Sequence, residues 1–409
     1  MKKGLLLCLI AAFLVCCMAA CGKTTPTPVP TQPVTEEVTP TPTEEPTEPP
    51  TPTPTPEPPT VYLKDVFGAH NMKVGTCLTT QMLSMPAKEQ IILENYTSVT
   101  MENHMKPNYI LSQAKSKEAG DIVVEFNRDM ITMLDWAKEH NMAVRGHTLI
   151  WYSQTPEWIF YDNFDSKTGK KVDRKVMLKR MESFIRQVFE KLTEAGYADM
   201  FYAYDVANEA WMEDGKMRSQ MNLWYEIIGE DYLWYAYSYA RKYAPANIKL
   251  FYNDYNEQLQ KKPEAIEAFV KTLVDDKGNS LIDGIGLQAH LYTSDSLTQY
   301  FAAVDRYSAL GLIIEITELD VGLGAWQSIK KATDDNLAAQ GRFYYELVNG
   351  IFERVDNGTL NMDSFTLWGI NDSSSWRQEY SPLLLDRYFK KKPAFYGVCQ
   401  MKEYAGFAQ

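Results

Sequence analysis

From Val61 onward the chain alternates short apolar runs with longer amphipathic stretches. Eight of the runs have the β-branched and aromatic content of enclosed strands: Met72–Cys77, Thr97–Glu102, Ala143–Leu149, Phe201–Asn208, Ile248–Asn253, Gly284–His290, Leu312–Leu319 and Asp363–Trp368. The stretches between them carry apolar residues three and four apart, the spacing that lines one face of a helix. In Asp121–His140 that face holds Val123, Met130, Leu134 and Ala137. Asp173–Thr193, Asp231–Tyr243, Pro263–Val274, Leu297–Leu310 and Asn336–Val355 follow the same rule, and Pro263 suits a first helical turn. Eight strands alternating with helices over about 350 residues predict an α/β chain closed into a (β/α)8 TIM barrel, with residues 61–409 as one domain.

Polar residues concentrate where those strands end. Glu102 and Asn103 follow the second run, His147 ends the third, and Asn208 and Glu209 close the fourth. Asn253 ends the fifth, Gln288 and His290 the sixth, Glu318 and Asp320 the seventh, and Trp368 the eighth. A barrel of this kind gathers its reactive groups at the C-terminal rim, whereas helix caps and loop residues would be spread over both ends. The stretch F-Y-A-Y-D-V-A-N-E-A-W (Phe201–Trp211) shows the contrast best. Taken alone, Asn208-Glu209 reads in two ways: as a cap for the next helix, or as a carboxylate desolvated by apolar neighbours. Desolvation raises a carboxyl pKa toward the range useful to a general acid. The convergence of the other strand ends favours the second reading.

The rim then offers two glutamates, Glu209 and Glu318, on strands four and seven. The chain has no nucleophile elbow, phosphate-cradling glycine loop or dinucleotide fingerprint, and no Cys or His cluster with zinc-ligand spacing, so no cofactor or metal is expected. Paired carboxylates suit glycoside hydrolysis, one protonating the leaving oxygen while the other attacks the sugar or activates water. Glu209, in apolar company, is the candidate acid/base. Glu318 has Asp320 two residues on and His290 one strand away, an arrangement that keeps it ionised as a nucleophile. Glu315 is set aside, because a step of three along a regular strand turns it to the opposite face. Trp151, Trp368 and Trp376 follow strand ends and offer indole faces for sugar rings, whereas Trp136, Trp224 and Trp234 lie on helices and read as core. Asn103, Lys106, Gln154 and Asn208 are candidate hydroxyl binders.

Composition changes the picture mainly at the N-terminus. Lys2-Lys3 and the apolar run Leu5–Val15 have the layout of a secretory signal, and Met18-Ala19-Ala20-Cys21 resembles a bacterial lipoprotein signal with Cys21 as the acylated residue. Residues 1–20 are thus expected as a signal peptide and 21–60 as a disordered linker. Thr24–Thr60 holds 14 of the 21 prolines, six glutamates and no basic residue, too little apolar surface to order itself. Extended, it would reach roughly 115 Å at about 3.1 Å per residue, a stalk between a lipid anchor and the domain. The expected location is the bacterial cell surface, with the membrane contacted only through the lipid; secretion is the alternative. Four of the six cysteines fall in the signal region; Cys77 and Cys399 remain, and free thiols are expected over a disulfide. The net charge is −12, and the domain keeps 47 acidic against 38 basic residues once the linker's six glutamates and the three N-terminal lysines are set aside. That surface argues against nucleic acid or a polyanionic substrate.

Seven ordered motifs carry a resemblance: T-M-E-N-H-M-K-P (Thr100–Pro107), R-G-H-T-L-I-W (Arg145–Trp151) with S-Q-T-P-E-W (Ser153–Trp158), Y-D-V-A-N-E-A (Tyr204–Ala210), Y-N-D-Y-N (Tyr252–Asn256), I-G-L-Q-A-H (Ile285–His290), I-T-E-L-D (Ile316–Asp320) and L-W-G-I-N-D-S-S-S-W (Leu367–Trp376). Together they resemble glycoside hydrolase family 10, chiefly endo-β-1,4-xylanases, over essentially all of Val61–Gln409. The resemblance implies xylan as the polysaccharide substrate and a retaining double displacement with Glu209 as acid/base and Glu318 as nucleophile. It also implies Asn208 on the sugar 2-hydroxyl and a Glu318–His290–Asp320 chain. Glu102, Asn103, Lys106, His147, Trp151, Gln154 and Gln288 match positions around the glycone subsites, and Trp368 and Trp376 match an aromatic floor and lid. Tyr152 and Tyr204 depart from the family's usual His and Trp. A β-1,4-glucanase on the same barrel and a non-catalytic glycan-binding lipoprotein are the alternatives, and a monomer is the expected state.

Overall fold

The computed structural model describes residues 57–408. The expected signal segment, Cys21 and all but the last few residues of the linker lie outside them. Eight parallel strands form the barrel: β1 (Lys73–Leu78), β2 (Ser98–Met101), β3 (Ala143–Trp151), β4 (Phe201–Asn208), β5 (Lys249–Asp254), β6 (Gly284–Leu287), β7 (Ile313–Gly322) and β8 (Ser364–Leu367). Each pairs with its neighbours in sequence, and β8 pairs with both β7 and β1, which closes the sheet and leaves the barrel no free edge. Every strand is followed by at least one helix, among them α1 (Pro86–Asn95), α2 (Arg128–Glu139), α3 (Arg174–Glu194), α4 (Tyr232–Tyr243), α5 (Lys262–Val270), α6 (Leu297–Ser308), α7 (Asp334–Asp356) and α8 (Pro393–Val398). A short strand, His290–Tyr292, adds to the rim beside β7. Among the described residues, no helix is long and apolar enough to cross a membrane.

Local chemistry sets the element ends. Asp173, Ser296 and Thr333 each accept a hydrogen bond from a backbone N–H three residues on, and α3, α6 and α7 begin there. α2 starts later than its apolar spacing predicts, because Asn127 Oδ1 takes the Met130 N–H at 2.8 Å and caps the helix. The residues before it are extended, with Val124 bridged to Leu111. The spacing gave no sign of α1, whose apolar residues do not gather on one face. Trp136 and Trp224 are core as expected, while Trp234 is only partly covered and donates its indole N–H to Val274 O at 3.0 Å. Cys77 and Cys399 are buried free thiols. A Cβ on Gly146 would lie 2.3 Å from the Tyr204 ring, so only glycine lets that ring pack against β3.

The barrel interior corrects one expectation. Glu315 does not face away from Glu318: both enter the barrel. β7 advances from Ile316 to Leu319 while β8 advances only from Phe365 to Leu367, so the register shifts there. β4 shifts likewise against β5 between Asp205 and Ala207. Such bulges insert one residue and break the two-residue alternation of side chains. Asp205 and Asn208 on β4, and Glu315 and Glu318 on β7, therefore point inward although three apart. The lower pair meets Arg145, whose guanidinium donates to both Asp205 and Glu315 with all three side chains almost wholly buried. The upper pair reaches the rim.

Removing one partner of a buried ion pair leaves an uncompensated charge, which costs about 3–5 kcal/mol. Arg145→Met strands two carboxylates, and chemical denaturation should show a loss of that size. A loss under about 1 kcal/mol, the value of an exposed pair, would mean that water reaches the barrel floor.

Candidate active site

A cavity of about 870 Å³ opens over the C-terminal ends of the strands. Every site residue expected from the sequence lines it, with two exceptions: Cys21, outside the described residues, and Asp320, which is fully buried behind His290. Two positions differ from expectation in detail. His147 and Glu318 lie within their strands rather than at the last residue, because β3 runs on to Trp151 and β7 to Gly322. The next helical segment after β4 begins at Leu223 under an Asn222 cap, so Asn208-Glu209 is not a helix cap.

Glu209 leaves β4 in the left-handed region at φ 56°, a backbone state that costs a non-glycine residue and needs holding. Its N–H donates to Asn253 O at 2.9 Å. Its Oε1 accepts from Asn208 Nδ2 at 3.2 Å and from Gln288 Nε2 at 3.1 Å, and its Oε2 accepts from the Trp151 indole N–H at 3.1 Å. Asn253 is the hub below. Its Nδ2 donates to Glu318 Oε1 at 2.8 Å and to Asn208 Oδ1 at 3.0 Å, while its Oδ1 accepts from the Thr317 hydroxyl at 2.6 Å. Gln288 Nε2 also reaches Asn208 Oδ1 at 3.2 Å. A chain of side-chain amides thus joins the two carboxylates and fixes their relative orientation.

Their surroundings differ in sign. Burial, followed by the charge of Asp254 and then of Glu318, pushes the Glu209 carboxyl above its ordinary value against the pull of Gln288 and Trp151. Burial acts the same way on Glu318, yet the hydrogen bond from His290 and the nearby His147, His290 and Lys106 overcome it and bring that carboxyl down to about 2. His290 Nε2 lies 3.5 Å from Glu318 Oε2 and its Nδ1 3.1 Å from Asp320 Oδ1. Asp320 also takes Arg377 and the Trp376 indole N–H, the latter at 3.2 Å.

On the β2 side, Lys106 Nζ donates to Asn103 Oδ1 at 3.0 Å and lies 5.0 Å above the Trp151 ring. Burial lowers the Lys106 pKa and raises that of Glu102. His147 Nδ1 meets Asp205 Oδ2 at 2.9 Å, and Trp368 packs edge-on against the His147 ring. Trp376 stands edge-on over His290 with more than half its surface open. The cavity also holds residues that the sequence did not single out: Tyr255, Tyr292, Trp326 and Arg377. Tyr255 was within a quoted motif. Trp326 sits on the hairpin after β7, six residues past Asp320, where aromatic content after a strand end was the available sign. Among the described residues, no group of three or more His, Cys, Asp or Glu side chains is arranged to hold a metal ion.

His290 has a consequence for titration. Burial opposes its charged form, but Asp320 and Glu318 raise its pKa to about 10. A raised imidazole pKa contributes stability that is complete below the unfolded value of about 6.5 and is lost as pH climbs through the folded one. NMR should find the His290 ring doubly protonated at pH 8; a neutral ring at that pH would contradict the ion-pair arrangement.

The chain matches the model of glycosyl hydrolase family 10 over residues 62–401. It is 33% identical to an endo-1,4-beta-xylanase of Geobacillus stearothermophilus, across 82% of this chain and 97% of that one. It is 35% identical to a bifunctional endo-1,4-beta-xylanase XylA of Ruminococcus flavefaciens, across 81% of this chain and 33% of that one. The aligned region spans between 32% and 51% of three such curated relatives. The fold superposes on the CBM22-1-GH10 modules of endo-1,4-beta-D-xylanase 10B of Clostridium thermocellum, solved with xylohexaose. The TM-score is 0.73 at 31% identity, covering 85% of this chain and 69% of that one. With the barrel, the two carboxylates at its rim and a family match over nearly the whole described region, this chain belongs to glycosyl hydrolase family 10.

Proposed function

We propose that the protein is an endo-β-1,4-xylanase acting by retaining double displacement. One observation carries the reading: two carboxylates joined by the Asn253–Asn208–Gln288 amides, one held ionised and the other held toward its protonated form. Glu318 attacks the anomeric carbon while Glu209 gives its proton to the departing glycosidic oxygen, so a glycosyl ester forms as the sugar–sugar bond breaks. Glu209, now ionised, takes a proton from water, which attacks the same carbon and releases Glu318. Asn208 suits a hydrogen bond to the 2-hydroxyl beside the nucleophile. Xylose lacks the C6 hydroxymethyl group, so crowding of that position by Trp376 and Lys106 would disfavour glucan. The xylanase names of the relatives support the same substrate class.

On sequence grounds, we also propose that an acyl chain on Cys21 holds the enzyme at the cell surface. Intact mass of the membrane fraction should show a Cys21 diacylglyceryl group; an unmodified chain would remove that idea.

Reducing-sugar release should be much greater from xylan than from a soluble cellulose derivative, and the reverse ratio would favour a glucanase. Glu318→Ala should abolish hydrolysis of both xylan and activated aryl glycosides. Glu209→Ala should lose on the order of 10²–10⁴-fold in kcat/KM on xylan, the usual worth of a general acid, and far less in kcat/KM on an aryl glycoside with a good leaving group. Equal losses would count against the acid role. The first-formed product should be the β-anomer by NMR. Activity needs Glu318 ionised and Glu209 protonated, so the acid limb of the rate profile should lie low. The basic limb should fall as pH rises through the elevated Glu209 value.

A further inference from the structure

Arg218 carries no motif and does not line the cavity, yet three of its contacts converge on the site. A turn brings it back to the end of β4: Trp211 bridges to Met217, and the Arg218 N–H donates to Ala210 O at 2.8 Å. Its Nε donates to the carbonyl of Glu209 at 3.0 Å. Its Nη2 donates to the Tyr255 hydroxyl at 3.0 Å. Its flat face lies 4.3 Å from the centroid of the Tyr152 ring. Nε and Nη2 form one edge of the guanidinium, so a single rigid plane serves two acceptors and a π face together.

Glu209 is where such rigidity matters. Its left-handed backbone is unfavourable for a side chain and persists only when its peptide groups are held. Asn253 O fixes its N–H from β5. Arg218 fixes its carbonyl. The two tyrosines that Arg218 touches both border the cavity and follow β3 and β5, the strands on either side of the one carrying Glu209. Glu102, Asn103 and Lys106, by contrast, follow β2.

We propose that Arg218 is a positioning residue for the proton donor: its guanidinium, gripped by the Tyr255 hydroxyl and the Tyr152 ring, holds the Glu209 carbonyl and with it the left-handed backbone that aims the carboxyl. The inference rests on the assignment of Glu209 as acid. Lysine keeps the charge but has neither the fork nor the plane, so Arg218→Lys separates geometry from electrostatics.

The test compares xylohexaose with 2,4-dinitrophenyl β-xylobioside, whose leaving group departs without a proton. A misplaced acid costs on the order of 10- to 100-fold. For Arg218→Lys, kcat/KM on xylohexaose should fall by that factor, while kcat/KM on the aryl glycoside should stay within roughly threefold, since that quantity ends at glycosyl-ester formation and there needs no proton from Glu209. Equal losses on both substrates would reduce Arg218 to a general structural role and overturn the proposal, as would no loss. If Arg218→Lys does not fold, Tyr255→Phe removes only the hydroxyl that Nη2 grips and should show a smaller loss with the same substrate split; an unchanged ratio would overturn the proposal. Glu209→Ala runs alongside. If it fails to show the split, the acid assignment falls; if it shows the split and the Arg218 and Tyr255 variants do not, only this inference falls.

Discussion

A closed barrel has no room for water around charged groups at its floor, and Arg145 is what lets this barrel carry polar chemistry inside. Its guanidinium bonds Asp205 on β4 and Glu315 on β7, strands on different sides of the interior. Unpaired, carboxylates buried this deeply would destabilise the fold. Paired, Asp205 remains an acceptor and holds His147 from below. His147 then supports Trp368 and helps lower the Glu318 pKa. The reactive layer stands on an electrostatic layer.

Above that floor, two glutamates in similar burial are driven in opposite directions. Both are penalised as anions by desolvation. The difference is what faces them. Glu318 meets imidazoles and Lys106, whereas Glu209 meets the negative charges of Asp254 and Glu318 itself. The Glu318 charge therefore helps keep a proton on Glu209, and in the proposed mechanism this coupling renews itself: consuming the Glu318 charge in the ester favours release of a proton from Glu209. Neutral amides bridge the two, so they fix geometry without cancelling the contrast.

Most of the architecture was legible in the sequence because burial writes itself into apolar runs. The β4 bounds at Phe201 and Asn208 match the run that suggested them, and all eight strands fall where the β-branched and aromatic residues cluster. α1 left little trace, because the faces of a short helix against a barrel need not be sharply divided. The start of α2 was misjudged because Asn127 offered the backbone a cap inside a periodic stretch. For the site, a strand-end position plus a polar residue located Glu102, Asn208, Glu209 and Gln288 without any knowledge of depth. Arg218 and Arg377 escaped because their importance lies in what they touch.

The sequence by itself determined the barrel, the rim and the pair of carboxylates, since hydrophobic periodicity and polar strand ends are local properties. Only the tertiary structure decided which way those side chains point. A two-residue alternation sends Glu315 and Glu318 to opposite faces, but the register shift between β7 and β8 brings both inside. The matching shift on β4 does the same for Asp205 and Asn208. A bulge is a relation between two strands, with one side chain more on one than on the other, and no single run of residues contains it. That relation separates a buried structural layer at Arg145 from a reactive layer three residues above it.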